Sequence, residues 1–173
     1  MLRMLGKVLR VGNITEDLER AGDGVSEALV LTGSELKSII DKRFQGSLSI
    51  RHVDAGSCNG CELEIHALNN PYYSIERFGV HFVASPRHAD VLLVTGPVSR
   101  HMEAALRRTW AATPNPKWVI AAGDCAACGG EFGISYASCG AVENVIPVSL
   151  KIPGCPPSPV VLLHGILNLM QRL

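Results

Sequence analysis

The sequence predicts an α/β domain, a flavodoxin-like doubly wound parallel sheet with an N-terminal helical arm. Three observations predict it. From Ser47 onward, short apolar runs alternate with helical patterns, as they do in strand–helix repeats. Runs such as "VHFVAS" and "DVLLVTG" are apolar nearly throughout, the pattern of parallel strands buried on both faces. Glycine-rich loops follow the strands, at the sheet edge where this architecture builds its sites.

The elements follow in order. Residues 1–46 read as an arm and residues 47–173 as the α/β domain. In "MLRMLGKVLRV", Leu2, Leu5, Val8 and Leu9 recur at helical spacing, with Arg3, Lys7 and Arg10 on another face. Such a short basic amphipathic helix suits an anionic membrane surface, or equally a partner's apolar face. In "GNITEDLERAGDG", Asn13 or Thr15 is placed to cap a helix that the glycines close. "LSIRHVD" is the first strand, and "CELEIHALN" a helix stopped at Asn69-Asn70-Pro71. The strands "VHFVAS" and "DVLLVTG" precede the helix "SRHMEAALRRTWAA", which Pro114 and Pro116 end. "KWVIAAG" and "VIPVSLKIPG" carry the last strands. Ser158-Pro159 then opens a closing helix, a good cap and first-turn pair.

Composition excludes several functions. Aromatic residues make up 5% of the 173, too few for a base-stacking platform, and the formal net charge is +0. No nucleic acid is expected as a partner. Hydrophobic residues reach 47% against 18% charged, a balance that predicts surface covered by partner subunits. No apolar run reaches membrane-spanning length, and no secretory leader or early Arg-Arg pair is visible. A reducing, cytoplasmic setting follows, in which six cysteines are expected as metal ligands or free thiols. GxGxxG and P-loop patterns are absent.

The cysteines sort themselves on the predicted sheet. Cys58 and Cys61 follow the first strand, Cys125 follows "KWVIAAG", and Cys155 follows "SLKIPG". Loops at the carboxyl ends of parallel strands lie on one edge, so these four converge into a four-thiolate site. Four thiolates suit zinc or an iron–sulfur cluster. The cluster is favoured by glycines that admit backbone N–H groups to the sulfides, and by Pro156-Pro157 after Cys155. A zinc site from Cys58, Cys61, Cys125 and Cys128 is the rival, and it leaves "PGCPP" unexplained. Cys128 and Cys139 otherwise read as buried inert thiols. Arg51, His52, Arg87 and His88 are expected to touch partners.

"GSCNGC", "GDCAACGG", "PGCPP" and "SPRHADVLLVTGPV" resemble the small subunit of nickel–iron hydrogenases and its relative in respiratory complex I. The resemblance runs from about Ser47 to Leu173. The complex I subunit has adjacent cysteines where this chain has Cys58-x-x-Cys61, so the chain sides with the hydrogenases. It ends 18 residues after Cys155, with no second cluster domain, and so resembles the one-cluster, membrane-bound, energy-converting group that includes formate hydrogenlyase. The resemblance implies that Cys58, Cys61, Cys125 and Cys155 hold one [4Fe–4S] cluster proximal to a nickel–iron site in a separate large subunit. It implies electron transfer between a ferredoxin-like iron–sulfur subunit and that nickel–iron site, with protons reduced to hydrogen and no catalytic residue in this chain. It also implies membrane-arm subunits and a peripheral place on the cytoplasmic face. The alternative is a quinone-linked subunit of the complex I type. Glu64 matches an acidic residue three after the second cysteine in related subunits, with a proton or interface role.

Overall fold

The computed structural model describes residues 22–173. The basic amphipathic segment and the cap at Asn13 or Thr15 lie outside the described residues.

Five strands form one sheet: β1 (Leu48–Asp54), β2 (Val80–Phe82), β3 (Val91–Thr95), β4 (Trp118–Ala122) and β5 (Leu150–Ile152). Their order is β2-β1-β3-β4-β5, and every pairing is parallel. This is the flavodoxin-like order the sequence predicts, and the chain reverses direction across the sheet between β1 and β3.

Why these runs become central strands is visible in β3. Val91 and Leu93 enter one core, Leu92 and Val94 the other, and all four are fully buried. A strand with apolar residues on both faces fits only between two covered layers. β4 repeats this, with Ile120 and Ala122 on one side and Val119 and Ala121 on the other.

Three helices cover the first face: α1 (Gly22–Arg43), α2 (Gly60–Leu68) and α5 (Pro159–Arg172). The helix that the glycines of "AGDG" are expected to close lies outside the described residues, while Gly22 and Gly24 themselves fall within α1. Packing holds α1 in place: Leu29, Leu36 and Ile40 bury in the first core beside Ile65, Leu163 and Ile166. Phe44, just beyond α1, meets Trp118 of β4 edge-on with ring centroids 5.9 Å apart. The second face is covered by α3 (Arg100–Ala112), the short α4 (Asp124–Cys128) and the segment that follows it. Ser99 caps α3, its hydroxyl accepting from the Met102 N–H at 3.3 Å.

Candidate iron–sulfur site

The site lies at the carboxyl edge of the sheet, where three loops meet. Asp54 ends β1 and shapes the first loop: its Oδ1 accepts from the N–H groups of Gly56 and Ser57, both at 2.8 Å. Burial raises the Asp54 carboxyl, but those two donors outweigh it and hold it below its ordinary value. The second loop leaves β4 through Gly123. The third leaves β5 through Gly154. The last two are joined directly: Asp124 N–H donates to the Gly154 carbonyl at 2.9 Å, and Gly154 N–H donates to Asp124 Oδ1 at 2.8 Å.

Cys58, Cys61, Cys125 and Cys155 all line one cavity of about 140 Å³, with Gly96 and Pro97 of the β3 loop beside them. The four predicted site cysteines are thus brought together. Backbone space around them is tight. Gly123 sits at φ +88°, ψ 158°, a region open essentially to glycine alone, and a Cβ there would lie 2.7 Å from Cys61 Sγ. At Gly130, φ is +53° and a Cβ would come within 2.8 Å of Cys125 Sγ.

The thiols feel one another. Burial, then the Glu62 carboxylate, then Cys58, Cys125 and Cys155 push the Cys61 thiol up to about 11. Burial and the charge of Cys155 and Cys58 also raise Cys125. Four thiolates so placed repel one another, and positive charge in the cavity relieves them.

The donor set and the space discriminate between metal groups. A cavity of about 140 Å³ is roughly ten times what one water needs. Among the described residues, no group of three or more His, Cys, Asp or Glu side chains stands arranged to hold a metal ion. Four thiols around a space of that size fit a multi-atom cluster better than a single tetrahedral zinc.

The leftover cysteines separate. Cys139 is buried as expected, and its thiol donates to Glu103 Oε2 at 3.3 Å, so its partner is distant in sequence but near in space. Cys128 is expected to be buried and is instead exposed. It ends the one-turn helix α4, where its thiol folds back to the Asp124 carbonyl at 3.1 Å, and it does not line the cavity.

Two acidic residues exchange prominence. Glu64, singled out in the sequence, is half-buried on α2. Glu62, next to Cys61, is 7% exposed, and neither of its carboxylate oxygens has a hydrogen-bond partner among the described residues. His52 Nε2 approaches Glu62 Oε1 at 3.6 Å while bonding Thr95 Oγ1 at 3.0 Å. Burial lowers the His52 pKa, against the opposing pull of Glu62 and Asp54. The signal for Glu62 was present: Glu62, Ile65 and Leu68 recur at i, i+3, i+6 and bury together on one side of α2.

Exposed apolar side chains lie at the cavity and in the elements next to it. Phe132 lines it while 66% exposed, the same loop carries Ile134 and Tyr136 at 73% and 98%, and Leu63 on α2 is 62% exposed. A model of the family described as "NADH ubiquinone oxidoreductase, 20 Kd subunit" matches residues 58–169. The chain belongs to this family. It is the family of the complex I 20 kDa subunit and the nickel–iron hydrogenase small subunit. Relatives include "Formate hydrogenlyase subunit 7" of Escherichia coli, 43% identical over 132 residues, covering 76% of this chain and 52% of that protein. Another is "Probable membrane-bound hydrogenase subunit mbhJ" of Pyrococcus furiosus, 47% identical over 122 residues, covering 70% and 73%. The chain therefore spans about half the length of the first relative and about three quarters of the second. Among solved structures, a chain of an archaeal respiratory complex, the membrane-bound sulfane sulfur reductase, superposes with a TM-score of 0.66 at 33% identity. That match covers 77% of this chain and 73% of the other. Members of the 20 kDa family thus serve membrane-bound oxidoreductase complexes, and no described helix of this one is long and apolar enough to cross a membrane.

Proposed function

We propose that this chain is the electron-transfer small subunit of a membrane-bound nickel–iron hydrogenase complex, with Cys58, Cys61, Cys125 and Cys155 holding one [4Fe–4S] cluster. The observation that carries the reading is the shared cavity: four thiols from three distant loops around one multi-atom space. When bound, such a cluster supplies a one-electron carrier whose potential depends on burial and on hydrogen bonds to its sulfurs. The chain's own part is to fix the thiols, exclude bulk from Gly123 and Gly130, and hold the second and third loops together through Asp124.

Exposed Phe132 at the cavity, with exposed Ile134 and Tyr136 in its loop and Leu63 on α2, supports a large subunit covering this region. That subunit would carry the nickel–iron site, and a ferredoxin-like subunit would exchange electrons with the cluster. Membrane-arm subunits would hold the assembly peripherally on the cytoplasmic face. Residues 1–46 remain the arm in this proposal and residues 47–173 the cluster domain, with helix α1 of the arm sharing the domain's core. Glu64 keeps a proposed role at the subunit interface or in proton movement.

A quinone-linked subunit of the complex I type is the second reading, favoured by the family that matches. The spacing Cys58-x-x-Cys61 favours the hydrogenase over it. A solved relative belongs to a sulfane sulfur reductase, so family membership alone does not choose the acceptor. Two Cys-x-x-Cys pairs in the neighbouring large subunit support the nickel site, and their loss points to another acceptor.

The test is anaerobic purification of the complex, then electron paramagnetic resonance after reduction. A [4Fe–4S] signal that Cys155→Ser abolishes or reshapes is expected. A complex without that signal, or one indifferent to Cys155→Ser, overturns the assignment.

A further inference from the structure

Among the described residues, no helix covers half of one sheet face. In β2, Val80 belongs to the first core and no residue belongs to the second, while β1 gives the second core only Val53. The reason is the β2–β3 connection: where a doubly wound fold places a helix, residues 83–90 hold a single 3₁₀ turn, Pro86–His88. What remains is an open groove of about 680 Å³. Its floor is Arg51, Val53 and Val83, and its wall is Met102, Ala105 and Thr109 of α3. All-parallel sheets occur almost only with both faces covered.

The groove is basic as well as bare. Arg51 Nε is buried, with no hydrogen-bond partner among the described residues. Alternation along β2 puts half-buried His81 on this side, opposite Val80. Exposed Arg108 stands three residues after Ala105 on the same helical face. The one carboxylate lining the groove, Asp54, is engaged by Gly56 and Ser57.

We propose that this half-face seats an acidic amphipathic helix of a partner subunit, which completes the second helical layer and places a carboxylate on Arg51. The proposal rests on the multisubunit reading but not on the cluster. Among the described residues the missing element is a helix, Val53 and Val83 offer apolar footing beside Arg51, and the unanswered charge is positive. Those three features together select the occupant.

The experiment uses the intact complex extracted from membranes, with p-benzoylphenylalanine in place of exposed Ala84 at the groove rim, and Ala105 on the opposite wall as a second probe position. After irradiation, cross-linked peptides are identified by mass spectrometry, and iron per complex is measured alongside. The expected product joins this chain to an Asp- or Glu-bearing helical segment of another subunit. Arg51→Glu should lower its yield about tenfold while Arg51→Lys holds it within about twofold. Iron content should not change in either variant. Cross-links to lipid, to a second copy of this chain, to its own N-terminal segment or to a segment without carboxylates overturn the proposal. So does the absence of any cross-link from both positions. A parent complex that forms the cross-link yet holds no iron would instead count against the cluster reading.

Discussion

Asp124 and Gly154 hold each other by two hydrogen bonds, one at 2.9 Å from the Asp124 N–H and one at 2.8 Å into the Asp124 carboxylate. The first residue precedes Cys125, and the second precedes Cys155. The pair therefore sets the spacing of two candidate ligands that lie thirty positions apart in the chain. Asp124→Ala leaves the Gly154 N–H without its acceptor, at a cost of about 1–3 kcal/mol. Asp124→Asn keeps an acceptor oxygen. Iron per complex should fall in the alanine variant and largely persist in the asparagine variant. Equal loss in both would show that charge, not the clamp, is what matters.

Gly123→Ala tests the space beside Cys61. The new methyl would lie 2.7 Å from Cys61 Sγ, and its φ of +88° strains any L residue. Backbone strain of this kind costs about 1–3 kcal/mol. The variant should fold with a lowered melting temperature and carry much less iron than the parent. Full iron loading with an unchanged melting temperature would contradict the geometry.

Leu36→Ala and Ile40→Ala test whether α1 belongs to the core. Both side chains are fully buried. Truncation should cost about 2–5 kcal/mol in each, read from denaturant midpoints. A cost under about 0.5 kcal/mol, the range of surface substitutions, would make α1 a loosely attached arm.

That helix also marks what the sequence showed and what it hid. The strand order and the convergence of Cys58, Cys61, Cys125 and Cys155 were legible, because strand-loop-helix alternation sends every such loop to one edge. Leu29, Leu36 and Ile40 sit seven and four residues apart, a helical stripe, but the glycines before them read as a stop. Glu62 was legible from the same kind of spacing, which puts it on the buried side of α2 with Ile65 and Leu68. Its burial follows from the turn of α2 set by Ile65 and Leu68. The bare half-face was not legible at all, because a missing helix leaves no pattern, only a short connection.

His52 predicts an acid limb in stability. Burial lowers its pKa below its ordinary value of 6.5, so the folded state resists the proton that the unfolded state accepts. Stability is therefore unaffected by this group above about pH 7, and falls as pH drops through 6.5 toward the lowered value. His52→Gln should flatten that fall between about pH 7 and 5 in chemical denaturation series. An identical slope in both proteins would remove His52 as the cause.

The two cysteines ending Cys-x-x-Cys pairs, Cys61 and Cys128, separate the cluster from the zinc alternative. Cys61 lines the cavity, whereas Cys128 is exposed and bonded to the Asp124 carbonyl. A zinc site needs Cys128 and leaves Cys155 idle; the cluster needs Cys155 and leaves Cys128 idle. Cys128→Ser should thus change stability by less than about 0.5 kcal/mol, as surface substitutions do, and leave iron unchanged. Cys155→Ser should remove or reshape the iron signal. Metal analysis of the two variants side by side decides the matter. Iron lost with Cys155 alone carries the cluster, whereas zinc in the parent, lost with Cys128 alone, carries the rival.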